Sequence, residues 1–307
     1  MKLRGNTFIC EYSSEINNFI SIKNSITGDE YIKKDIKQSI IELYGISDKN
    51  KIKLIPEKIE VSENENELVI TIKKFSNKNI ICNIYIKSIE DKIIINADIE
   101  NLDESIEITE VLMPRISGIY LGDSHEDDVI IYPHHAGEKT INPVIGYGKN
   151  KKDFWRASSV KFEDIYRREI NYCGLASMSW MYYYDDNNGL YIGSHDERFP
   201  VTGVIAETSG QESNPWMGFG FRKYKRITNG QKYNTGDYVI AITDKDWHYG
   251  SKIYRQYIGK YLDFDHNPDY LKEQYALNQC YNFKRNGKIE FHIYMKKVKN
   301  LELTICF

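Results

Sequence analysis

Up to about residue 240 the chain carries almost no helical periodicity, and short β-branched runs recur in its place. Phe8-Ile9-Cys10-Glu11-Tyr12 and Asn18-Phe19-Ile20-Ser21-Ile22 flank a polar turn. Leu68-Val69-Ile70-Thr71-Ile72, then residues 80–86 and 92–99, follow at short intervals. Many of these runs alternate, and Asn, Asp, Glu and Lys fill the gaps. Period-two alternation with polar punctuation is the pattern of antiparallel strands in a sandwich or barrel. Gly189-Leu190-Tyr191-Ile192-Gly193-Ser194 and Tyr238-Val239-Ile240-Ala241-Ile242 are later strands of the same kind. Residues 35–44 are spaced as a short helix. The first long helix is predicted over 246–262. There Trp247, Tyr254, Tyr257, Ile258, Tyr261 and Leu262 make an apolar stripe, with Asp244 or Asp246 as N-cap.

The chain has 307 residues, enough for two domains or one large all-β domain. A long helix after an all-β block marks a domain edge. The expected organisation is a β-sandwich over 1–243, a helical linker over 244–280 and the stub of a second domain over 281–307. Lys and Arg number 41 against 44 Asp and Glu, which gives no electrostatic case for nucleic acid or an anionic membrane. No apolar run is long enough for a spanning helix. The first residues lack the apolar stretch of a signal peptide, so the expected location is cytoplasmic. Five cysteines without metal-ligand spacing read as small apolar side chains rather than a disulfide framework or zinc site.

The middle of the chain, about 110–240, is richer in Gly, Pro, Trp, His and Tyr, and long loops interrupt its strands. His134 and His135 with Glu138, and His195-Asp196 with Glu207, offer imidazole–carboxylate pairs for moving a sugar's anomeric proton. The same histidines could equally cap loops. Asp127-Asp128, Asp185-Asp186 and Glu207 offer paired glycosidase carboxylates or solvated turns. Trp155, Trp180 and Trp216 supply flat faces for sugar rings, with Arg156, His195 and Asp196 at hand for hydroxyls; core packing is the other reading. Adjacent His134 and His135 would point apart on a strand, which argues against a metal site. No phosphate loop, nucleophile elbow or nucleic-acid motif is present, so no cofactor is expected.

The opening hairpin through Thr27-Gly28 resembles that of galactose-mutarotase-like β-supersandwich domains. So do the run Ile93-Ile94-Ile95-Asn96-Ala97-Asp98-Ile99-Glu100-Asn101 and the later Glu110-Val111-Leu112-Met113-Pro114-Arg115. Gly189 to Asp196, Asp246-Trp247-His248 and Ile253-Tyr254-Arg255 resemble features of an uncharacterised glycoside-hydrolase-like family that carries this sandwich ahead of a (β/α)8 barrel. The resemblance implies a two-sheet antiparallel supersandwich and a carbohydrate partner. The candidate sugar contacts are then His134, His135, Trp155, Arg156, Trp180, His195, Asp196, Glu207 and Trp216. In that family the catalytic carboxylates lie on the barrel. A barrel needs about 250 residues, and only 45 follow Leu262. The expectation is therefore a truncated, non-catalytic module. The alternatives are an aldose mutarotase or hexose-phosphate epimerase working on the sandwich alone, and a scaffold that docks a lost barrel. In the mutarotase reading His134, His135 or His195 is the acid and Glu207 or Glu138 the base.

Overall fold

Period-two alternation closes into two large antiparallel sheets whose apolar faces meet. The computed structural model describes residues 1–34, 36–149 and 159–262, with the backbone of four short strands beyond them. A small sheet pairs β1 (Lys2–Arg4), β2 (Phe8–Ser13) and β3 (Asn18–Asn24). The seven-stranded sheet runs β13 (Ser159–Phe162), β14 (Ile165–Tyr172), β17 (Thr202–Thr208), β18 (Met217–Ile227), β10 (Glu107–Ile119), β4 (Glu42–Ser47) and β5 (Asn50–Leu54). The ten-stranded sheet runs β12 (Glu138–Ile141), β11 (Val129–Tyr132), β15 (Trp180–Tyr184), β16 (Gly189–His195), β20 (Asp237–Thr243), β9 (Lys92–Asn101), β8 (Ile80–Ile89), β7 (Glu67–Phe75) and β6 (Pro56–Asn64). Its tenth strand, β19 (Lys232–Asn234), pairs with β9.

The core lies between the two large sheets. Ile70, Ile84, Ile95 and Ile240 enter it from one side, and Val204, Phe219, Phe221 and Val111 from the other. Alternate residues are buried from Leu68 to Ile72 in β7, Ile80 to Ile86 in β8 and Ile93 to Asn101 in β9, as the alternation requires.

Residues 35–44 do not form the expected helix. Ile40 and Ile41 lie fully buried in an extended approach to β4, and Ile40 N–H donates to the Asn17 carbonyl. A short apolar run suits a buried helix or a buried strand equally, and pairing of β4 with β10 decides it. Asp35 lies outside the described residues.

The one-turn helix α1 (Pro143–Gly146) is capped by Asn142. The predicted long helix is α2 (Trp247–Ile258), with Asp246 at its N-cap accepting from the His248 N–H at 3.1 Å. Its buried positions are Gly250, Ile253, Tyr254 and Tyr257. Tyr261 and Leu262 of the predicted stripe fall beyond its end. α2 covers the outer face of the ten-stranded sheet over Trp180, Tyr182 and Tyr191. Gly250 permits this, because a β-carbon there would lie 2.3 Å from the Tyr182 ring. Trp180 through Tyr183 are therefore all buried, two toward the core and two under the helix.

The chain divides into two units, Met1–Tyr257 and Ile258–Phe307. In the second, β21 (Leu277–Gln279) pairs with β24 (Thr304–Cys306), and β22 (Lys284–Arg285) with β23 (Lys288–Ile289). No helix among the described residues is long and apolar enough to cross a membrane. Cys10 and Cys82 are buried, Cys173 is exposed, and the Cys280 and Cys306 side chains lie outside the described residues.

Candidate functional site

The face of the seven-stranded sheet turned away from the core carries a lattice of charges. On β14, Ile170 enters the core, and Arg167 and Glu169 take the opposite face. On β17, Val204 and Ala206 enter the core, and Gly203, Ile205 and Glu207 take the other side. On β18 the sequence Met217-Gly218-Phe219-Gly220-Phe221-Arg222 alternates aromatic or apolar residues inward with Gly, Gly and Arg outward. β10 adds Glu110 and Arg115, and β4 adds Glu42 and Tyr44.

Glu207, only 1% exposed, sits between two guanidinium groups. Arg115 reaches it with Nε at 3.0 Å and Nη2 at 3.1 Å, and Arg167 Nε donates to it at 2.7 Å. Arg115 also donates to Glu42, which holds Lys53 at 2.8 Å and accepts from the Tyr44 hydroxyl at 3.0 Å. A second row runs beside the first. Arg222 lies between Glu169 (2.8 Å) and Glu110 (2.6 Å), and Glu110 also pairs with Lys51. The Tyr224 hydroxyl donates to Glu169 at 2.9 Å.

Glycine makes these long reaches possible. Arg115 and Glu207 lie two strands apart, about 10 Å at ordinary strand spacing, with β18 between them. Gly218 faces Glu207 in the register and Gly220 faces Arg115. A β-carbon on Gly218 would stand 2.7 Å from Ser117 Oγ, and one on Gly203 would stand 2.6 Å from Glu169 Oε1. The bare backbone leaves room for side chains to lie flat across the sheet.

Beside the lattice is a groove of about 310 Å³ walled by Tyr44, Phe162 and Tyr224, with Arg167, Glu169 and Arg222 among its lining. The Arg167 guanidinium stacks 4.7 Å from the Phe162 ring, and Arg222 lies 5.4 Å from the Tyr44 ring. Burial alone would raise the carboxyl pKa values of Glu42 and Glu110. The cations beside them win: Arg115 and Lys53 lower Glu42, and Lys51 and Arg222 lower Glu110. Burial, with Glu42 beside it, pushes the Tyr44 phenol up to about 12.

Of the described sequence candidates, Glu207 alone lies in this lattice. His134 and Glu138 meet elsewhere, with Nδ1 to Oε2 at 3.2 Å. Arg168 grips Glu138 with both Nη atoms, at 2.7 and 2.6 Å. Burial would raise the Glu138 pKa, but the hydrogen bonds and charge of Arg168 hold it at about 2. Arg167 and Arg168 are consecutive on β14 and so leave opposite faces of the sheet. Glu207 and Glu138 are therefore on opposite sides of it. His134 and His135 do not point apart as expected. His135 occupies a turn with φ 53°, and the two rings lie 4.2 Å apart.

His195 stacks on Tyr257 at 4.2 Å and shares a 2.7 Å hydrogen bond with the Tyr191 hydroxyl. Trp180 stacks between Tyr191 and Tyr254 beneath α2. Asp196 takes Arg198 at two atoms, each 2.8 Å away, and the buried Lys223 at 3.3 Å. Trp216 is buried just before β18. Trp155 and Arg156 lie outside the described residues. Asp185 caps its turn by accepting from the N–H groups of Asn187 and Asn188, while Asp128 is fully buried against the Tyr183 hydroxyl. Sequence reasoning passed over Arg115, Arg167 and Arg222, although the Gly-Phe-Gly-Phe-Arg alternation on β18 was a legible sign of a stripped outer face.

No protein-family model matches the chain, and no curated protein matches it. Solved structures do match. A galactose mutarotase related enzyme from Lactobacillus acidophilus is 9% identical with a TM-score of 0.50, covering 80% of this chain and 98% of its own. A ligand-free α-N-acetylgalactosaminidase from Bifidobacterium bifidum is 12% identical with a TM-score of 0.60, covering 98% of this chain and 50% of its own. This chain thus spans half the length of the second protein. At these identities the likeness shows the fold alone, and the fold is that of a galactose-mutarotase-like β-sandwich.

Proposed function

We propose that the chain is a carbohydrate-associated, non-catalytic β-supersandwich module of a glycoside-hydrolase-like protein, whose seven-stranded face supports or lines a sugar-binding cleft. The observation that carries this reading is the closure of Glu207 between Arg115 and Arg167. Both oxygens of the carboxylate are taken by guanidinium groups, and no histidine among the described residues lines the groove beside it. Proton transfer needs an acid and a base within hydrogen-bond reach of one substrate. The imidazole–carboxylate pair of His134 and Glu138 sits across the sheet. Its carboxyl pKa of about 2 makes it a poor base at neutral pH. The half-length match to a glycosidase suits a module that accompanies a second domain. In this reading the partner is a (β/α)8 barrel, and the catalytic carboxylates sit there.

The test is anomer interconversion followed by proton NMR, with fresh α-glucose and α-galactose and the 307-residue protein. The expected result is an unchanged rate with broadening of one sugar's lines. Accelerated loss of the α signal, abolished by Glu207→Ala or His195→Ala, would make the sandwich itself a mutarotase and overturn the reading. An unchanged rate without broadening would point to a scaffold that docks a barrel.

A further inference from the structure

A second cavity lies away from the seven-stranded sheet. It measures about 410 Å³ and lies where α2 meets the turn between β8 and β9. That places it at the lower end of small-molecule sites, the size of one ring rather than a chain. The buried Ile253 and the half-buried Tyr249 give it an apolar floor. The wall is a fixed network: the Tyr249 hydroxyl donates to Asp91 at 2.5 Å, and Lys92 pairs with Asp91 at 2.8 Å. Asn6, Glu90, Lys252 and Gln256 complete the lining. These four make no side-chain hydrogen bond among the described residues.

The chemistry of this lining is specific. Two amides, a carboxylate and an ammonium give both donors and acceptors, which alternating hydroxyls require. The charges balance, with Glu90 and Asp91 against Lys92 and Lys252, so a phosphate or a carboxylate ligand would meet like charge as often as opposite charge. An apolar floor beneath a polar rim fits a ring with one C–H face and hydroxyls at its edge. We infer that this cleft is a binding site for a single neutral sugar ring. The ring packs on Ile253 and Tyr249, and its hydroxyls are read by Asn6, Glu90, Lys252 and Gln256. The inference takes from the proposed function only the choice of sugars as probes.

The test is a titration of the full ¹⁵N-labelled chain with galactose, glucose and N-acetylgalactosamine at millimolar concentrations, the range of a weak single-ring site. At least one sugar is expected to shift the amides of residues 5–6, 90–92 and 249–256. Glu90→Gln and Lys252→Ala should each weaken that binding about tenfold, as loss of a hydrogen bond to a charged group does. Both are exposed, so both variants should keep the wild-type spectrum elsewhere. Galacturonate should bind more weakly than galactose. Unchanged binding in both variants would overturn the site. Shifts confined to residues 42–44, 110–115, 167–169 and 222–224 would overturn it and leave the proposed function standing. Shifts confined to the α2 cleft would remove sugar contact from the seven-stranded face. No shifts anywhere would overturn both.

Discussion

The outer face of the seven-stranded sheet and the cleft beside α2 both carry charged side chains of either sign, and these end in opposite states. On the sheet, Arg115, Arg167 and Arg222 are less than a tenth exposed, and Glu42, Glu110, Glu169 and Glu207 bind them. In the cleft, Glu90, Lys252, Asn6 and Gln256 stay exposed and uncommitted. Burial explains the difference. A charge taken from water must be repaid by a partner, so a buried face consumes its own hydrogen-bonding capacity. An exposed rim keeps that capacity for a ligand. A charged surface is thus a poor guide to a binding site until its pairing is known.

This comparison breaks first at Glu207. Glu207→Ala would strand two buried guanidinium groups, a loss of about 3–5 kcal/mol. At about 2–4 °C per kcal/mol for a domain of this size, the melting temperature should fall by roughly 10 °C. A fall of under 2 °C, measured by differential scanning calorimetry, would mean that the lattice contributes little. Gly203→Ala tests the bare backbone. Its β-carbon would press on Glu169 and Arg222, at an expected cost of about 1–3 kcal/mol, read from the denaturant midpoint at unchanged slope.

A third variant sharpens the comparison through pH. Burial pushes the Asp128 carboxyl up to about 8, with Asp185 and Asp127 adding to the shift and the Tyr183 hydroxyl opposing it. A carboxyl whose folded pKa exceeds its unfolded value binds more protons when folded. Its contribution is therefore fully present below the unfolded value, near 4, and is lost as pH rises toward 8. Asp128→Asn should flatten that decline, so that the variant gains on the wild type as pH climbs. Parallel stability curves for the two proteins between pH 5 and pH 8 would refute the assignment. Lys252→Ala should show the smallest effect, within about 0.5 kcal/mol of wild type.

Much of the sandwich was legible because strand patterning is local. The runs at 68–72, 80–86 and 92–99 became β7, β8 and β9, and the opening hairpin became β2 and β3. The start of α2 was legible from Asp246. Its stripe was less so: Tyr254 and Tyr257 pack inward, but the turn of helix needed to bring Tyr261 and Leu262 to the same face is absent. Residues 35–44 misled because a few buried isoleucines fit either period. Most site candidates were His and Trp, and the structure distributes the described ones among an edge turn, the underside of α2 and the approach to β18, while Glu207 alone of the described candidates enters the charge lattice.

The sequence by itself determined the class of fold, because alternation decides which half of each strand must leave water. It determined equally that two alternate positions of β18 would be bare, since Gly218 and Gly220 carry no side chain in any fold. Only the tertiary structure decided which charges meet. Arg115 and Glu207 are separated by 92 residues and joined across an intervening strand, and Arg167 and Arg168 are neighbours sent to opposite faces. Pairing of that kind depends on sheet order and register. These are set by the packing of the whole core, and no local pattern encodes them.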